Sequence, residues 1–99
     1  MKFVTRLFLL ISLSSPALVQ ANGCDFTKTL FDNGQYTEAY NLAKTHAQYG
    51  DICAKFYLGV IYYNGYGIKK ADTTKGHKLI MEGVFKGYKP AVEYFQTME

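Results

Sequence analysis

Past position 15 this chain has no serine, and past position 6 it has no arginine. The first absence excludes a serine-nucleophile hydrolase from the body of the chain. The second removes the planar fork that grips phosphate or carboxylate at two points. There is no tryptophan, and the two prolines are Pro16 and Pro90. No Pro-rich, Ser-rich or charge-run segment marks a linker, so a single domain is expected. The longest apolar run, Leu7 to Leu13, is too short to cross a bilayer, and no membrane span is expected. The histidines, His46 and His77, have no Cys or carboxylate at metal-ligand spacing, so neither metal nor cofactor is expected. Gly65-Tyr66-Gly67 is not followed by the Lys-Ser/Thr pair of a phosphate loop and is read as a structural turn.

What is present begins with a leader. Lys2 and Arg6 precede the apolar run, Ser14-Ser15-Pro16 breaks it, and Val19-Gln20-Ala21 has the small residues that a signal peptidase reads. Residues 1–21 are therefore expected to be a signal peptide cleaved between Ala21 and Asn22, the alternative being a retained N-terminal anchor. Residues 22–99 hold nine lysines against eight acidic residues, so no overall basic charge argues for nucleic acid. Cys24 and Cys53 are the only cysteines. An exported chain meets oxidising conditions, and a domain of this size needs a staple, so one disulfide between them is expected. Closing a loop of that length is worth about 3–4 kcal/mol in the chain-entropy account. Ala21-Asn22-Gly23-Cys24 lacks the leucine of a bacterial lipoprotein box, and a lipid anchor at Cys24 is disfavoured. The expected location is periplasmic or secreted.

Residues 22–99 contain an internal repeat. Gly50 matches Gly87 and Ala54 matches Ala91, a shift of 37 residues in each case. A fixed period of this size is the mark of a helical solenoid. Helical apolar spacing before Asn33-Gly34 and Asn64-Gly65 makes these pairs helix C-caps rather than hairpin turns. Five helices are predicted, at about 25–33, 37–49, 52–64, 73–86 and 90–98. Thr37 and either Asp72 or Thr73 are the expected N-caps of the second and fourth, and Pro90 fits the first turn of the fifth.

Ala54-x-Phe56-Tyr57-Leu58-Gly59-x-Ile61-Tyr62-x-x-Gly65-x-Gly67-Ile68, with Asp72 and Lys75 after it, resembles the Sel-one-like repeat, a relative of the tetratricopeptide repeat. Gly83-x-x-x-Gly87 and Ala91 continue the likeness. Phe26 to Gly50, with Gly34-x-Tyr36-x-Glu38-Ala39, resembles the shorter tetratricopeptide form. Gly76 stands where the family usually has Ala, and Ile80 where it usually has an aromatic. Both departures predict weaker packing of the fourth helix. The resemblance implies an all-α fold over residues 22–99: a short right-handed α-α superhelix (solenoid) of about two helix-turn-helix repeats plus a C-terminal capping helix.

All nine tyrosines lie beyond position 35. Tyr57 occupies a slot that is usually polar in the family. Tyr94 lies 37 residues later, and Phe26 lies 31 earlier, the shift that relates Gly34 to Gly65. In this architecture the first helix of each pair lines the concave face, where Val60 and Tyr63 follow Tyr57. Phe26, Tyr57, Val60, Tyr63 and Tyr94 are therefore the candidate partner-binding residues, the alternative being that they pack between helices. The leading expectation is a non-catalytic module that holds a protein or peptide on its concave face, in the manner of an adaptor, a regulator or an immunity protein. Against it stand two readings. One is a small enzyme that binds or hydrolyses β-lactams, as the resemblance to cysteine-rich relatives implies. The other is a self-assembling structural component. No nucleophile–base–orienter set supports an enzyme. Intact mass checks the leader: the exported protein should begin at Asn22, and a mass retaining residues 1–21 or acyl chains on Cys24 defeats that assignment.

Overall fold

Ile52–Asn64 is apolar on nearly every side, and a helix of that kind has to be covered on every side. The computed structural model, which describes residues 24–98, places this helix at the centre. It is α3. Before it come α1 (residues 24–32) and α2 (Tyr36–Gln48); after it come α4 (Thr73–Phe85) and α5 (Lys89–Met98). Among the described residues all regular structure is helical. α2 and α4 pack on α3, α5 packs on α4, and the α1 ring of Phe31 meets Tyr57 of α3. Ala54 and all of Phe56 to Ile61 are buried. The expected signal peptide, with Ala21 and Asn22, lies outside the described residues.

The ends of α3 are set by its flanking residues. The Asp51 carboxylate accepts from the backbone N–H groups of Cys53 (3.0 Å) and Ala54 (3.3 Å), covering two donors of the first turn. At the other end Gly65 sits at φ 79° and donates to the Ile61 carbonyl at 2.7 Å. That left-handed cap is what Asn64-Gly65 predicts. Asp72 caps α4 by accepting from Lys75 N–H at 3.0 Å. Thr37 does not cap α2. The helix begins one residue earlier, at Tyr36, and the Thr37 hydroxyl donates instead to the Gly67 carbonyl at 3.3 Å. Gly67 (φ 67°) lies so close that a Cβ there would come 2.7 Å from Tyr36 Cβ.

The period of 37 governs more than four residues. α2 and α4 are each 13 residues long, and Tyr36 and Thr73, their first residues, stand one period apart. Ile52 and Lys89, which open α3 and α5, stand one period apart too. Fully buried Ala39, Ala43 and Ala54 recur as buried Gly76, Ile80 and Ala91. Gly50 and Gly87 both have positive φ, at 86° and 75°. Cys24 and Cys53 form a disulfide with Cα atoms 6.0 Å apart, a separation natural to such bonds, so α1 is tied to the start of α3.

Gly76 does not loosen α4, as the sequence led us to expect. It lets α4 come in close. A Cβ at Gly76 would lie 2.5 Å from Tyr63 N and 2.6 Å from the Gly59 carbonyl, and one at Gly59 would lie 2.9 Å from the Gly76 carbonyl. All of these are below any real Cβ contact, and most of the neighbours are backbone that cannot swing aside. Ile80, fully buried, fills the space beside them. Gly76→Ala, an improvement by helix propensity alone, should therefore destabilise the protein by about 1–3 kcal/mol through overpacking. In a domain of this size that lowers the melting temperature by roughly 5–20 °C. An unchanged or raised melting temperature would show that the two helices can separate without cost.

Candidate functional site

The central helix turns different residues to its two sides. On one side Phe56, Tyr57 and Val60 meet Phe31 at the end of α1, Tyr36 at the start of α2 and Tyr94 of α5. Tyr66 reaches the same place from the loop after α3. Phe31 is the hub. Its ring lies edge-on to Tyr36 at 5.2 Å and to Tyr66 at 5.9 Å, and is tilted on Tyr57 at 5.4 Å. Tyr36 and Tyr66 stack at 4.7 Å. Phe56 continues the series to Tyr57 at 5.0 Å and Tyr94 at 5.8 Å. Edge-to-face and offset geometries of this kind are the favourable ones for aromatic pairs. Together the rings border a groove of about 300 Å³.

Polar groups hold the groove in shape. Asn64 Nδ2 donates to the Tyr94 hydroxyl at 2.9 Å and to the Val60 carbonyl at 2.9 Å, binding α5 to the last turn of α3. The Tyr88 hydroxyl donates to Cys53 Sγ at 3.0 Å. Asp32 stands at the rim, its carboxylate paired with Lys28 at 2.7 Å. That pair is exposed on one helix and adds little stability. Burial pushes the Tyr57 and Tyr88 hydroxyls above the usual tyrosine value, so both remain protonated donors through the neutral range.

Three of the five sequence candidates meet here. Tyr57 and Val60, only 8% and 4% exposed, form the floor and belong to the core at the same time. Tyr94 forms a half-buried wall. Tyr63 is half-buried and packs against the core cluster, where its backbone faces Gly76 of α4; it does not line the groove. Phe26 is 56% exposed and stands in a different hollow, with Leu30 and with Leu42 of α2. On α1 it is Thr27 and Phe31 that turn inward, so the 31-residue shift carries Tyr57 to the wrong side of the first helix. Sequence reasoning did not include Phe31, Tyr36 or Tyr66 among the candidates. The signal available was their place in the chain, since both tyrosines lie within two residues of an Asn-Gly helix end, Asn33-Gly34 or Asn64-Gly65.

The groove offers apolar faces and phenolic hydroxyls. Both cysteines are joined in the disulfide, so no thiol is presented. Among the described residues no group of three His, Cys, Asp or Glu comes together as a metal site. The chain matches no protein-family model, no curated protein and no solved structure.

On the other side of α3, the hydroxyls of Tyr40 and Tyr62 lie 3.3 Å apart, with the rings edge-to-face at 5.8 Å. The shared hydrogen bond separates the two titrations. Tyr40 is lowered and ionises first, helped by Lys44, while Tyr62 is pushed up to about 12. Tyr62, Tyr57 and Tyr88 therefore hold their protons more tightly when folded than when unfolded. Their contribution is fully present below the unfolded tyrosine value of about 10 and is lost as pH climbs through the folded values. Tyr40 acts in the opposite sense. Denaturant stability measured from pH 8 to 12 should fall once pH passes about 10, where the unfolded tyrosines ionise while Tyr57, Tyr62 and Tyr88 in the folded protein still hold their protons. The advantage of the parent over Tyr62→Phe should shrink across that window. A constant advantage up to pH 12 would remove the tyrosine hydrogen bond as its source.

Proposed function

We propose that this chain is a non-catalytic protein- or peptide-binding module, exported to the periplasm or beyond the cell. Its fold is read as a short right-handed α-α superhelix of about two helix-turn-helix repeats, closed by α5, in the manner of the Sel-one-like family. The recurrence of buried residues and helix starts at 37 positions supports that reading. The groove between α1, α3 and α5 is then the concave face.

The observation that carries the proposal is the set of tyrosines at the mouth of the groove. Tyr66 remains 38% exposed, and Tyr36 and Tyr94 are half-buried, although a domain this small has few aromatics to leave outside its core. Tyrosine on a rigid support gives a large contact area and a polar tip with little loss of rotamer freedom. The stacked, edge-on network holds each ring in place before a partner arrives, which lowers the entropic cost of association. The disulfide fits an oxidising compartment, and no described helix is long and apolar enough to cross a membrane. Adaptor, regulator and immunity protein are roles that the family resemblance implies for such a module.

The test separates rim from floor. A stoichiometric partner is first isolated by co-purification from an envelope extract, and its affinity is then measured. Tyr66→Ala and Tyr94→Ala should each weaken binding by about 1–3 kcal/mol, as interface anchors do. Tyr57→Ala should cost about 3 kcal/mol or more of folding stability, because its ring is part of the core. Partner affinity unchanged in both rim variants would end the assignment of this groove.

A further inference from the structure

α3 turns Lys55, Leu58 and Tyr62 away from the aromatic groove. On that side α2 and α4 flank it and enclose a second hollow of about 430 Å³. Lys44 of α2, Lys55 of α3, and Lys75 and Lys78 of α4 line it above an apolar floor of Leu58 and Leu79. Glu82 is the one carboxylate among its lining residues. An adjoining hollow shares Tyr62, adds Lys69 and Lys70, and has no acidic residue in its lining. Six of the nine lysines in residues 22–99 thus border one strip, with Glu82 the acidic residue of its lining and Asp72 near enough to act on Tyr62. The near-neutral composition of the chain conceals this segregation.

Two of these ammonium groups are held in place. Lys44 Nζ lies 5.0 Å from the centre of the Tyr40 ring, and Lys75 Nζ lies 4.7 Å from that of Tyr62. The hydrogen bond between those tyrosines fixes the distance between the two supports. Glu82 Oε1 lies 3.5 Å from Lys55 Nζ, so the carboxylate of the lining is paired with one of its lysines. Clustered like charges beside low-dielectric walls create a local potential that an anion relieves.

We propose that this hollow is a second docking surface, and that its occupant is an acidic segment of a partner protein. Aspartate or glutamate side chains would sit among Lys44, Lys75 and Lys78. An apolar side chain would cover Leu58 and Leu79. A peptide supplies carboxylates and apolar side chains together, and this hollow offers lysines to the first and Leu58 and Leu79 to the second. A phosphate ester brings negative charge alone and leaves the apolar floor uncovered. A flat lipid surface does not enter a concave hollow with an apolar floor. The surface lies across α3 from the aromatic groove and stands whether or not that groove binds.

The oxidised protein is titrated with a fluorescein-labelled twelve-residue peptide of alternating Glu-Leu-Glu and Glu-Glu-Leu units, at low and at physiological salt. Saturable binding is expected, weakened at least 5-fold by the higher salt because ion pairs at a partly exposed surface are screened. The pair Lys75→Gln with Lys78→Gln should weaken it at least 10-fold. Lys44→Gln with Lys69→Gln, on other elements, should do the same, so a folding defect in one pair does not decide the result. Lys86→Gln, an exposed lysine outside both hollows, should leave the affinity unchanged. The proposal is overturned by no binding at millimolar peptide, by equal binding of both lysine variants, or by binding to phosphatidylglycerol vesicles or inorganic phosphate in place of the peptide.

Discussion

α3 and α4 touch backbone to backbone at Gly59 and Gly76, and the rest of the molecule is arranged around that contact. With no Cβ on either residue, the two helices approach closely enough for the Gly76 backbone to reach Tyr63 N and Cα. Ile80 is then driven fully into the interior beside them. Gly83 allows the same kind of approach one element later, where a Cβ would fall 2.7 Å from that of Ala91 in α5. Small residues at these points let α2, α4 and α5 surround one apolar helix whose larger side chains point outward into the spaces between them. Interiors pack at crystal-like density, so each close approach fixes where the neighbouring large side chains must go.

Two faces follow from having α3 in the middle. A helix with apolar residues all round presents different side chains to different neighbours, and here its two sides differ in chemistry. Phe56, Tyr57 and Val60 face a region where α1, α5 and the Gly65–Gly67 turn contribute rings. Leu58 and Tyr62 face a region where α2 and α4 contribute lysines. Tyr62 and Tyr57 show how environment divides one residue type into two roles. Tyr57 closes the floor of an aromatic groove, whereas Tyr62 bonds to Tyr40 and supports Lys75. The disulfide holds α1 against the start of α3 and so keeps Phe31, the hub of the aromatic network, in place. A domain this small gains more from such a staple than a large one does, because its single core is marginal.

Much of the helical layout was legible beforehand. α3 covers the predicted 52–64 and ends at the left-handed glycine that Asn64-Gly65 marked, because such a cap acts locally; the Asp51 N-cap emerged only with the structure. α2 was misplaced by one residue. Tyr36 is drawn into the helix by packing on Phe31, just before it in sequence, and on Tyr66, remote from it, and no capping rule includes either ring. Gly76 was misread for a similar reason. Helix propensity speaks for Ala there, and only the position of Gly59 shows why a Cβ has no room. The candidate binding residues divided in the same way. Tyr57, Val60 and Tyr94 fell together, Phe26 fell on the opposite side of α1, and Tyr36 and Tyr66 entered from turns.

By itself the sequence determined the helical class, the period of 37, the cysteine pair and the glycines that end helices, since each depends on residues near one another along the chain or on composition. The tertiary structure decided which aromatics are floor and which are rim, that Gly76 tightens a helix pair, and that six lysines scattered from position 44 to 78 border one strip. These depend on the angle and distance at which helices cross. That geometry is set by side-chain volume at contacts between residues far apart in sequence, and no local pattern records it.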